Sequence, residues 1–401
     1  MSLKVLLLEN VHPCARESLL EEGFTVDVEK SALTEKQLNE LLPLYQVLGI
    51  RSKTQLPAAL FAAQHHLMAV GAFCIGTNQI DLAQANRVGV PVFNAPYSNT
   101  RSVAEMVIAE MIALSRQLGD ASSAAHKGEW LKSAKGSYEV RGKTLGIVGY
   151  GHIGTQVSVM AESLGLRVLY FDIIKKLPLG NARSMESLDE LLINSDFVTL
   201  HVPETPLTTN MMGVRQLEQM RPGSFLINAS RGTVVDIASL AAKLRSGRIA
   251  GAAVDVFPDE PQNNSDKFIS ELQGLKNVIL TPHIGGSTEE AQEAIGREVS
   301  QSLIWFLKFG VTLGSVNFPQ VNMTPKNGGQ RLINVHRNVP GVLGEINGIV
   351  SRVGVNIKAQ YLSTDQHIGY VVVDMEADAG PVEKVFAAVS KLSTSIKTRM
   401  V

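Results

Sequence analysis

The chain contains little of what several classes of protein require. Its 401 residues include two cysteines, Cys14 and Cys74, which are too few for a disulfide framework and do not approximate a zinc site. The formal net charge is −1, so the basic excess of a nucleic-acid-binding protein is missing. No apolar stretch approaches the length of a membrane span. We therefore expect a soluble protein of the cytoplasm, with no metal, nucleic-acid or membrane partner.

The first residues, MSLKVLLLENVHP, carry an apolar run that is too short for a signal peptide. Glu9, Asn10 and Pro13 follow it at once, and we expect the first β-strand there. A hydrophobic content of 45% with 19% charged residues is typical of a globular enzyme. A chain of this length exceeds one core, so two or three domains are expected.

Short apolar runs alternate with helix-like segments along the first part of the chain. The runs predicted as strands are KVLLLE, TVDVE, VLGI, LMAVGAF and VPVF. This alternation indicates a parallel sheet with helices on both faces. A long helix is then expected from about Arg101 to Lys127. A second series of strands follows, TLGIVGY, RVLYFD, FVTLHV, SFLINAS, AGAAVDVF and VILTPH, and after it a helix from about Thr288 to Phe309.

A glycine pattern opens the second series. In GIVGYGHIGTQV, Gly149, Gly151 and Gly154 follow a strand and begin a helix, and a second strand ends in Asp172. The first glycine allows a tight turn, the second lets the backbone approach a pyrophosphate, and the third permits close helix–strand packing. The helix N-terminus supplies amide donors for the phosphates. The pattern therefore predicts a dinucleotide-binding domain.

The residue at the end of the second strand bears on the choice of dinucleotide. Asp172 can accept hydrogen bonds from both ribose hydroxyls of the adenosine, and it would repel the 2′-phosphate of NADP. NAD is therefore the expected cofactor. Lys175 and Lys176 lie close enough along the chain to soften that preference.

These patterns predict an α/β protein with three domains. Two Rossmann-like or flavodoxin-like lobes, each a doubly wound parallel sheet, are expected to face each other across a cleft, with two helices crossing between them. The segment GSVNFPQVNMTPKNGG resembles a linker, and the order β-α-β-β-α-β after it is ferredoxin-like. The predicted boundaries are 1–98 with 287–314 for a substrate-binding domain, 99–286 for an NAD-binding domain, 315–329 for the linker and 330–401 for a regulatory domain.

Polar residues after three strands of the second lobe are candidates for the chemistry, since ligands of such sheets bind outside the carboxyl ends of the strands. Arg231, after SFLINAS, could grip a substrate carboxylate and polarise an adjacent carbonyl. His283 stands in a glycine-containing loop in LTPHIGGSTEEA, before a helix start at Thr288, and could accept an alcohol proton while hydride leaves for NAD. Glu260 is the best-placed carboxylate to orient its ring.

At this point the chain resembles the D-isomer-specific 2-hydroxyacid dehydrogenase family. The matching stretches are GIVGYGHIGTQV, INASRGTVVD, DVFPDEP and TPHIGGST. The resemblance implies that Arg231, Glu260 and His283 are the catalytic residues. It also implies a set of NAD contacts at Gly149, Gly151, His152, Ile153, Gly154, Asp172, Ala229, Ser230, Arg231, Asp255, His283, Ile284, Gly285 and Gly286.

The closer resemblance is to the members of this family that carry a C-terminal ACT domain. It implies oxidation of 3-phospho-D-glycerate to 3-phosphooxypyruvate, the first step of L-serine biosynthesis. Arg51 and Ser52 in GIRSKT, with Asn99 in NAPYSNTRSVAE, occupy positions that contact the substrate carboxylate or phosphate in similar enzymes.

The C-terminal stretch INVHRNVPGVLGEINGIVSRVGVNIKAQYL resembles an ACT domain. Such domains bind amino acids at interfaces between paired copies. His336, Asn338 and Asn356 occupy the positions that contact serine in related enzymes, which implies feedback inhibition by L-serine. The resemblance also implies a homo-oligomer, expected to be a tetramer, that associates through the NAD-binding and ACT domains.

The sequence leaves two alternatives open. The first is an enzyme that reduces another 2-oxo acid, such as 2-oxoglutarate. The second is a non-catalytic, NAD-sensing protein that resembles a corepressor, since this fold also serves in such roles.

Overall fold

The computed structural model of the chain describes residues 3–64, 66–261, 266–323, 330–376 and 378–401. It divides into two compact units, of which the first comprises Met1–Ser98 with Gln292–Val401 and the second comprises Asn99–Ala291. Within the described ranges, each helix lacks the length or the apolar character that crossing a membrane demands.

The first unit begins with a parallel sheet. Its strands are β1 Lys4–Leu7, β2 Thr25–Val28, β3 Val47–Ile50, β4 Ala69–Ala72 and β5 Val92–Asn94. Its helices are α1 Pro13–Glu21, α2 Glu35–Leu41, the 3-10 turn Leu42–Leu44, α3 Ala58–Ala63 and α4 Leu82–Arg87. The strand order is β2-β1-β3-β4-β5, which is the flavodoxin-like order. The predicted parallel sheet is confirmed.

The second unit is built on a longer parallel sheet. Its strands are β6 Thr144–Val148, β7 Arg167–Phe171, β8 Arg183–Ser184, β9 Phe197–Leu200, β10 Ser224–Asn228, β11 Ile249–Val254 and β12 Val278–Leu280. Its helices are α5 Thr100–Ser115, α6 Leu118–His126, α7 His152–Ser163, α8 Leu188–Asn194, α9 Val214–Gln219, the 3-10 turn Gly232–Val234 and α10 Ile237–Arg245. The order β12-β11-β10-β9-β6-β7-β8 reverses between β6 and β9, as in a Rossmann fold. The Rossmann-like prediction is confirmed.

The single long helix predicted from about Arg101 to Lys127 is wrong. The chain forms two helices there, because α5 ends at Ser115 and α6 begins at Leu118. Between them Gln117 takes the left-handed conformation with φ 52°, which interrupts the helical hydrogen-bond ladder. Left-handed positions favour glycine or asparagine. Because this position holds a glutamine, the sequence does not indicate that the helix ends there.

The chain then forms α11 Glu289–Phe309 and the C-terminal domain. That domain comprises β13 Gln330–Arg337, α12 Val342–Val353, β14 Asn356–Thr364, β15 Ile368–Glu376, α13 Ala379–Ser390 and β16 Ser395–Met400. Its antiparallel sheet has the order β14-β15-β13-β16. The predicted β-α-β-β-α-β domain is confirmed.

The first sheet is buried on both faces by alternating side chains. Leu7 faces a core on one side of the sheet and Leu6 faces a core on the other, as the two-residue period of a strand requires. At Gly71, a Cβ atom would lie 2.8 Å from Val299 and 2.9 Å from Leu303 of α11. Glycine therefore allows α11 to pack directly onto β4.

The predicted domain boundaries stay predictions. Residues 1–98 and 292–314 of the predicted substrate-binding domain lie in the first unit together with the predicted regulatory domain, whereas residues 287–291 lie in the second unit. Part of the predicted linker, residues 324–329, lies outside the described residues.

Candidate active site

The second unit carries its candidate residues where its strands end. In parallel sheets the carboxyl ends of the strands share one edge, and ligands bind there. The residues that follow β6, β7, β9, β10, β11 and β12 are, in turn, Gly149, Asp172, His201, Ala229 with Ser230 and Arg231, Asp255, and the loop Thr281–Gly286.

The glycine turn after β6 has the geometry that its pattern predicts. Gly149 has φ 91°, and a Cβ atom there would lie 2.3 Å from the His201 carbonyl oxygen. A Cβ atom on Gly154 would lie 2.2 Å from the Gly149 carbonyl oxygen. Gly151, the N-cap of α7, has nothing within 4 Å of its Cβ position. Two of the glycines therefore permit packing, and the third leaves the backbone open beside the helix N-terminus.

The acidic residue after β7 is held by main-chain donors. Asp172 accepts hydrogen bonds from the Tyr150 N–H at 2.8 Å and the Ile174 N–H at 2.9 Å, one on each oxygen. Each carboxylate oxygen has further acceptor capacity for a ribose hydroxyl. His152 and Ile153 form the first turn of α7 beside the glycine turn. The residues present therefore fit a dinucleotide.

The predicted catalytic pair is formed. His283 Nδ1 lies 2.9 Å from Oε2 and 3.0 Å from Oε1 of Glu260. A carboxylate only accepts hydrogen bonds, so the Nδ1–H of His283 donates to Glu260. In the neutral ring Nε2 therefore carries no proton and can accept one. The His283 side chain is 52% exposed and Glu260 is 36% exposed, so the pair is open to a ligand. Glu260 is fixed in turn by the Phe257 N–H at 3.1 Å.

The pair shifts the pKa of each partner. The hydrogen bond from His283 to Glu260 raises the pKa of the imidazole above its ordinary value, and burial opposes this only in part. Burial pushes the pKa of Glu260 up, but the hydrogen bond and charge of His283 outweigh it and lower the pKa overall. The charge of Arg231 lowers the pKa of both groups, so its guanidinium acts on the same site.

The loop after β10 is held by hydrogen bonds and close packing. The Asn228 side chain donates to the Arg231 carbonyl oxygen at 3.0 Å and accepts from the Ser230 hydroxyl at 2.8 Å, which closes the turn through Ala229. Arg231 Nη1 donates to the Ser230 carbonyl oxygen at 2.6 Å. A Cβ atom on Gly232 would lie 2.0 Å from the Phe257 backbone, so this loop packs against the segment that carries Glu260.

Asn99 and Asp255 lie against the loop that carries His283. Asn99 is 9% exposed, and a Cβ atom on Gly286 would lie 2.5 Å from its Nδ2. Its Oδ1 has no hydrogen-bond partner among the described residues. The Asp255 carboxylate accepts from the Ile284 and Gly285 N–H groups at 2.8 and 2.9 Å. The predicted contact of Asp255 with the cofactor stays a prediction, because both of its carboxylate oxygens already accept hydrogen bonds from the loop.

Arg51 and Ser52 lie in the first unit, in the loop after β3. This loop is organised by a residue that the sequence reasoning missed. Glu9 is 8% exposed and accepts from the N–H groups of Arg51, Lys53 and Thr54 at 3.2, 2.9 and 2.8 Å. The sequence does contain an indication of this role. Glu9 directly follows the apolar strand run KVLLL, and a carboxylate just after a buried strand is typical of a functional site.

His201 is a second residue that the sequence reasoning missed. It follows β9 and its Nε2 lies 3.0 Å from the Thr199 hydroxyl, while Nδ1 has no partner within the described part of the chain. Burial lowers its pKa to about 3, so the ring is neutral at physiological pH. The sequence feature that could have indicated His201 is its position near the end of the predicted strand FVTLHV, where ligands of such sheets bind.

The three predicted effector residues do not lie together in one chain. His336 pairs with Gly369 at one end of β15, and the Asn338 N–H donates to the His367 carbonyl oxygen at the same end. Asn356 pairs with Glu376 at the other end. The two ends of β15 are about 27 Å apart at a rise of about 3.4 Å per residue. His336 is also buried, which lowers its pKa.

Comparison with known proteins gives matches over the whole chain. The model of the D-isomer specific 2-hydroxyacid dehydrogenase NAD binding domain matches residues 108–285. The model of the AHAS small subunit-like ACT domain matches residues 332–397. D-3-phosphoglycerate dehydrogenase of Escherichia coli strain K12 is 53% identical over 399 residues, with 99% of this chain and 97% of that protein covered. The enzyme of the same name from Dictyostelium discoideum is 50% identical, with the same shares covered.

A solved structure has the same fold. The D-lactate dehydrogenase of Aquifex aeolicus, complexed with NAD and lactic acid, superposes with a TM-score of 0.67 at 27% identity. The match covers 76% of this chain and 95% of that one.

The chain therefore belongs to the D-isomer-specific 2-hydroxyacid dehydrogenase family, and it is an NAD-dependent oxidoreductase. Within that family it groups with the D-3-phosphoglycerate dehydrogenases. The resemblance drawn from the sequence motifs is confirmed. Among the described residues, no group of three or more His, Cys, Asp or Glu side chains is arranged to hold a metal ion.

Proposed function

We propose that the chain oxidises 3-phospho-D-glycerate to 3-phosphooxypyruvate with reduction of NAD, the first step of L-serine biosynthesis. The observation that carries this substrate is the match to D-3-phosphoglycerate dehydrogenases over 99% of the chain. The paired His283 and Glu260 support catalysis over a purely NAD-sensing role, because that role needs no base.

In this proposal the chain's own residues position the substrate and move one proton. His283 Nε2 accepts the proton of the substrate C2 hydroxyl, and Glu260 holds the ring and stabilises its charged form. Arg231 binds the substrate carboxylate beside C2. Arg51, Ser52 and Asn99 bind the carboxylate or phosphate oxygens. NAD, when bound, accepts the hydride from C2.

The direct test is steady-state turnover of 3-phosphoglycerate with NAD, followed by NADH absorbance. We expect its kcat/KM to exceed that for the NADH-dependent reduction of 2-oxoglutarate. A higher efficiency with 2-oxoglutarate would select the first alternative. No turnover of any 2-hydroxy acid, with NAD still bound, would select the non-catalytic one.

The role of His283 has its own test. His283→Ala should lower kcat by about a hundred- to ten-thousand-fold, because a general base contributes that much, while NAD affinity stays nearly unchanged. The measurement combines steady-state kinetics with a fluorescence titration of NAD. Full retained activity would remove His283 from the mechanism.

We further propose that L-serine inhibits the enzyme at sites formed by two copies of the ACT domain. His336 and Asn338 stand at the opposite end of β15 from Asn356, so one chain cannot bring the three to one ligand. A paired copy would supply Asn356 to the His336 end.

Mixed assemblies test this arrangement. Asn338→Ala and Asn356→Ala should each abolish inhibition by serine as pure proteins. Co-refolding the two variants should restore serine sensitivity at a fraction of the sites, because some pairs then combine two intact halves. A serine-insensitive wild-type chain, or no restoration in the mixtures, would refute the shared site.

The proposed assembly is a homotetramer that associates through the NAD-binding and ACT domains. In the second unit, Trp130 is 87% exposed and Leu131 is 70% exposed, which is the kind of apolar surface that marks an interface. Light scattering coupled to gel filtration should give the mass of four chains, and Trp130→Arg should lower it. The cytoplasm stays the predicted compartment.

A further inference from the structure

One buried carboxylate fixes the backbone on both sides of the catalytic histidine. Asp255 is 1% exposed, and it accepts the Thr281 hydroxyl at 2.6 Å and the Ile284 and Gly285 N–H groups at 2.8 and 2.9 Å. Its carbonyl oxygen accepts the His283 N–H at 2.8 Å. His283 itself has φ 54°, a conformation that is unfavourable for a residue with a side chain. The loop therefore depends on Asp255 to keep its shape.

Helix α5 supports this loop with one face. Val103 and Met106 lie 3.4 and 3.3 Å from the position of a Cβ atom on Gly285. Glu110 stands on the same face, because the spacing of three and four residues follows the helical repeat. It is 6% exposed, and its Oε1 has no hydrogen-bond partner among the residues that the structure describes. A carboxyl group is thus buried at the helix face that packs against the catalytic loop.

The charge state of Glu110 follows from its surroundings. Burial, and then the negative charge of Asp255, raise the pKa of Glu110 to about 8, so the group holds its proton at neutral pH. The elements packed most closely on α5 are α6, α7, β10, β11 and β12. Of their charged groups, Asp255 at the end of β11 is the one that shifts this pKa.

We propose that Glu110, buried with an unpartnered oxygen on the face of α5 that packs against the loop carrying His283, is a positioning residue of the dehydrogenase reaction, which acts through Asp255. An ionised Glu110 would place two negative charges in a poorly hydrated core, where like charges repel strongly. Water entry between α5 and the loop relieves this repulsion and weakens the bonds from Asp255 to Ile284 and Gly285. The proposal rests on the proposed role of His283 as the base.

The sign of the pH effect follows from linkage. The pKa of Glu110 in the closed loop is about 8, above the ordinary value of 4.5 that an open, hydrated state restores. The protonated closed state is therefore favoured at low pH, and this advantage is lost as the pH rises towards 8. Below that pH, the opening equilibrium should rise about tenfold per pH unit, and above it the equilibrium should level off.

Hydrogen–deuterium exchange tests the proposal without an activity assay. Protection of the peptide that contains Thr281–Gly286 is measured from about pH 6 to about pH 9 and corrected for intrinsic exchange. In the wild-type enzyme, protection should fall with pH as stated, whereas in Glu110→Gln it should stay level because the amide cannot ionise. Glu105→Gln removes an exposed carboxylate from the same helix and should behave as wild type.

Kinetics give the second readout. The wild-type kcat/KM for 3-phosphoglycerate should fall on the alkaline side with an apparent pKa at or below that of Glu110 in the closed loop, because the open state binds the proton more weakly, and this fall should be absent in Glu110→Gln. Wild-type pH dependence of both exchange and kcat/KM in Glu110→Gln would overturn the proposal. If the variant does not fold, pH-independent protection of the loop in the wild-type enzyme overturns it. Level exchange in the variant and pH-dependent exchange in the wild type, with no turnover of 3-phosphoglycerate by either protein, would refute the proposed function and leave Glu110 as a stabiliser of the loop only.

Discussion

At the scale of single residues, the candidate chemistry depends on how each group is held. The Nδ1–H of His283, the proposed base, is fixed by Glu260, and Glu260 is fixed by a main-chain donor. The two groups were each identifiable from the sequence, as residues after strands. Their pairing was an expectation, since 23 residues separate them and no local pattern measures the distance between their side chains.

Removing the charge of Glu260 should move the pH profile of the oxidation. The hydrogen bond to Glu260 raises the pKa of His283 above 6.5, and the base must be neutral to accept a proton. The rate therefore rises with pH through this raised pKa. In Glu260→Gln the rise should occur at lower pH, and the profile of kcat/KM measures it. Asp259→Asn is the matched control, and an unchanged profile in Glu260→Gln would contradict the assignment.

At the scale of elements, the strand–turn–helix unit around the glycine pattern was predictable in full. Each glycine has a separate physical reason that the pattern already contains, and the structure bears out the turn. The break between α5 and α6 was not predictable, because it falls at a glutamine held in the left-handed conformation. Local propensity favours a helix through Gln117, and the tertiary packing overrides it.

Two alanine substitutions in the glycine turn should affect different properties, since one should lower the stability and the other should lower the affinity for NAD. Gly149→Ala places a Cβ atom 2.3 Å from the His201 carbonyl oxygen, at a residue with φ 91°. The free energy of unfolding should therefore fall by about 2 kcal/mol or more. Gly151→Ala meets open space, so stability should stay within about 0.5 kcal/mol. Its methyl group would stand in the way of the pyrophosphate, and the Kd for NAD should rise about tenfold or more.

Thermal unfolding and NAD titration of both variants measure these effects. Equal stability losses in Gly149→Ala and Gly151→Ala would contradict the turn geometry. Unchanged NAD affinity in Gly151→Ala would mean that the dinucleotide does not approach this backbone.

At the scale of the whole molecule, the C-terminal domain is part of the first unit rather than an appendage. The core of that unit contains side chains of β1, α11, β13 and β15 together. The last carbonyl groups of a helix have no partner within it. Here Arg399 donates to the Leu307 carbonyl oxygen, Arg331 to that of Phe309 and Tyr370 to that of Gly310, each at 2.7 Å. The ACT sheet thus caps the end of α11.

A second contact joins the ACT domain to α4 and can be tested by a double-mutant cycle. Asn86 is buried and its Nδ2 donates to the Asp365 carboxylate at 2.6 Å and to the Asn317 carbonyl oxygen at 2.8 Å. Asn86→Ala and Asp365→Ala should each lower the free energy of unfolding by about 1–3 kcal/mol, because each leaves a polar group without its partner. The double variant should lose about 1 kcal/mol less of its free energy of unfolding than the sum of the two single losses, because the two residues interact. Chemical denaturation measures this cycle.

The exposed neighbour Arg87 supplies the control for that cycle. Arg87→Ala should change the stability by less than about 0.5 kcal/mol and should show no coupling to Asp365→Ala. Strictly additive losses in Asn86→Ala and Asp365→Ala would show that the contact does not hold the two domains.

The sequence by itself determined which elements form and which residue types stand at the strand ends. Hydrophobic alternation, the glycine pattern and the strand-end polar residues are local, so they can be read without coordinates. Only the tertiary structure decided that Glu9 organises the Arg51 loop, that Asp255 holds the His283 loop, and that Asn356 lies far from His336. Each of these depends on contacts between residues far apart in the chain. Burial and charge act there through distances in space, and a pattern along the chain does not contain those distances.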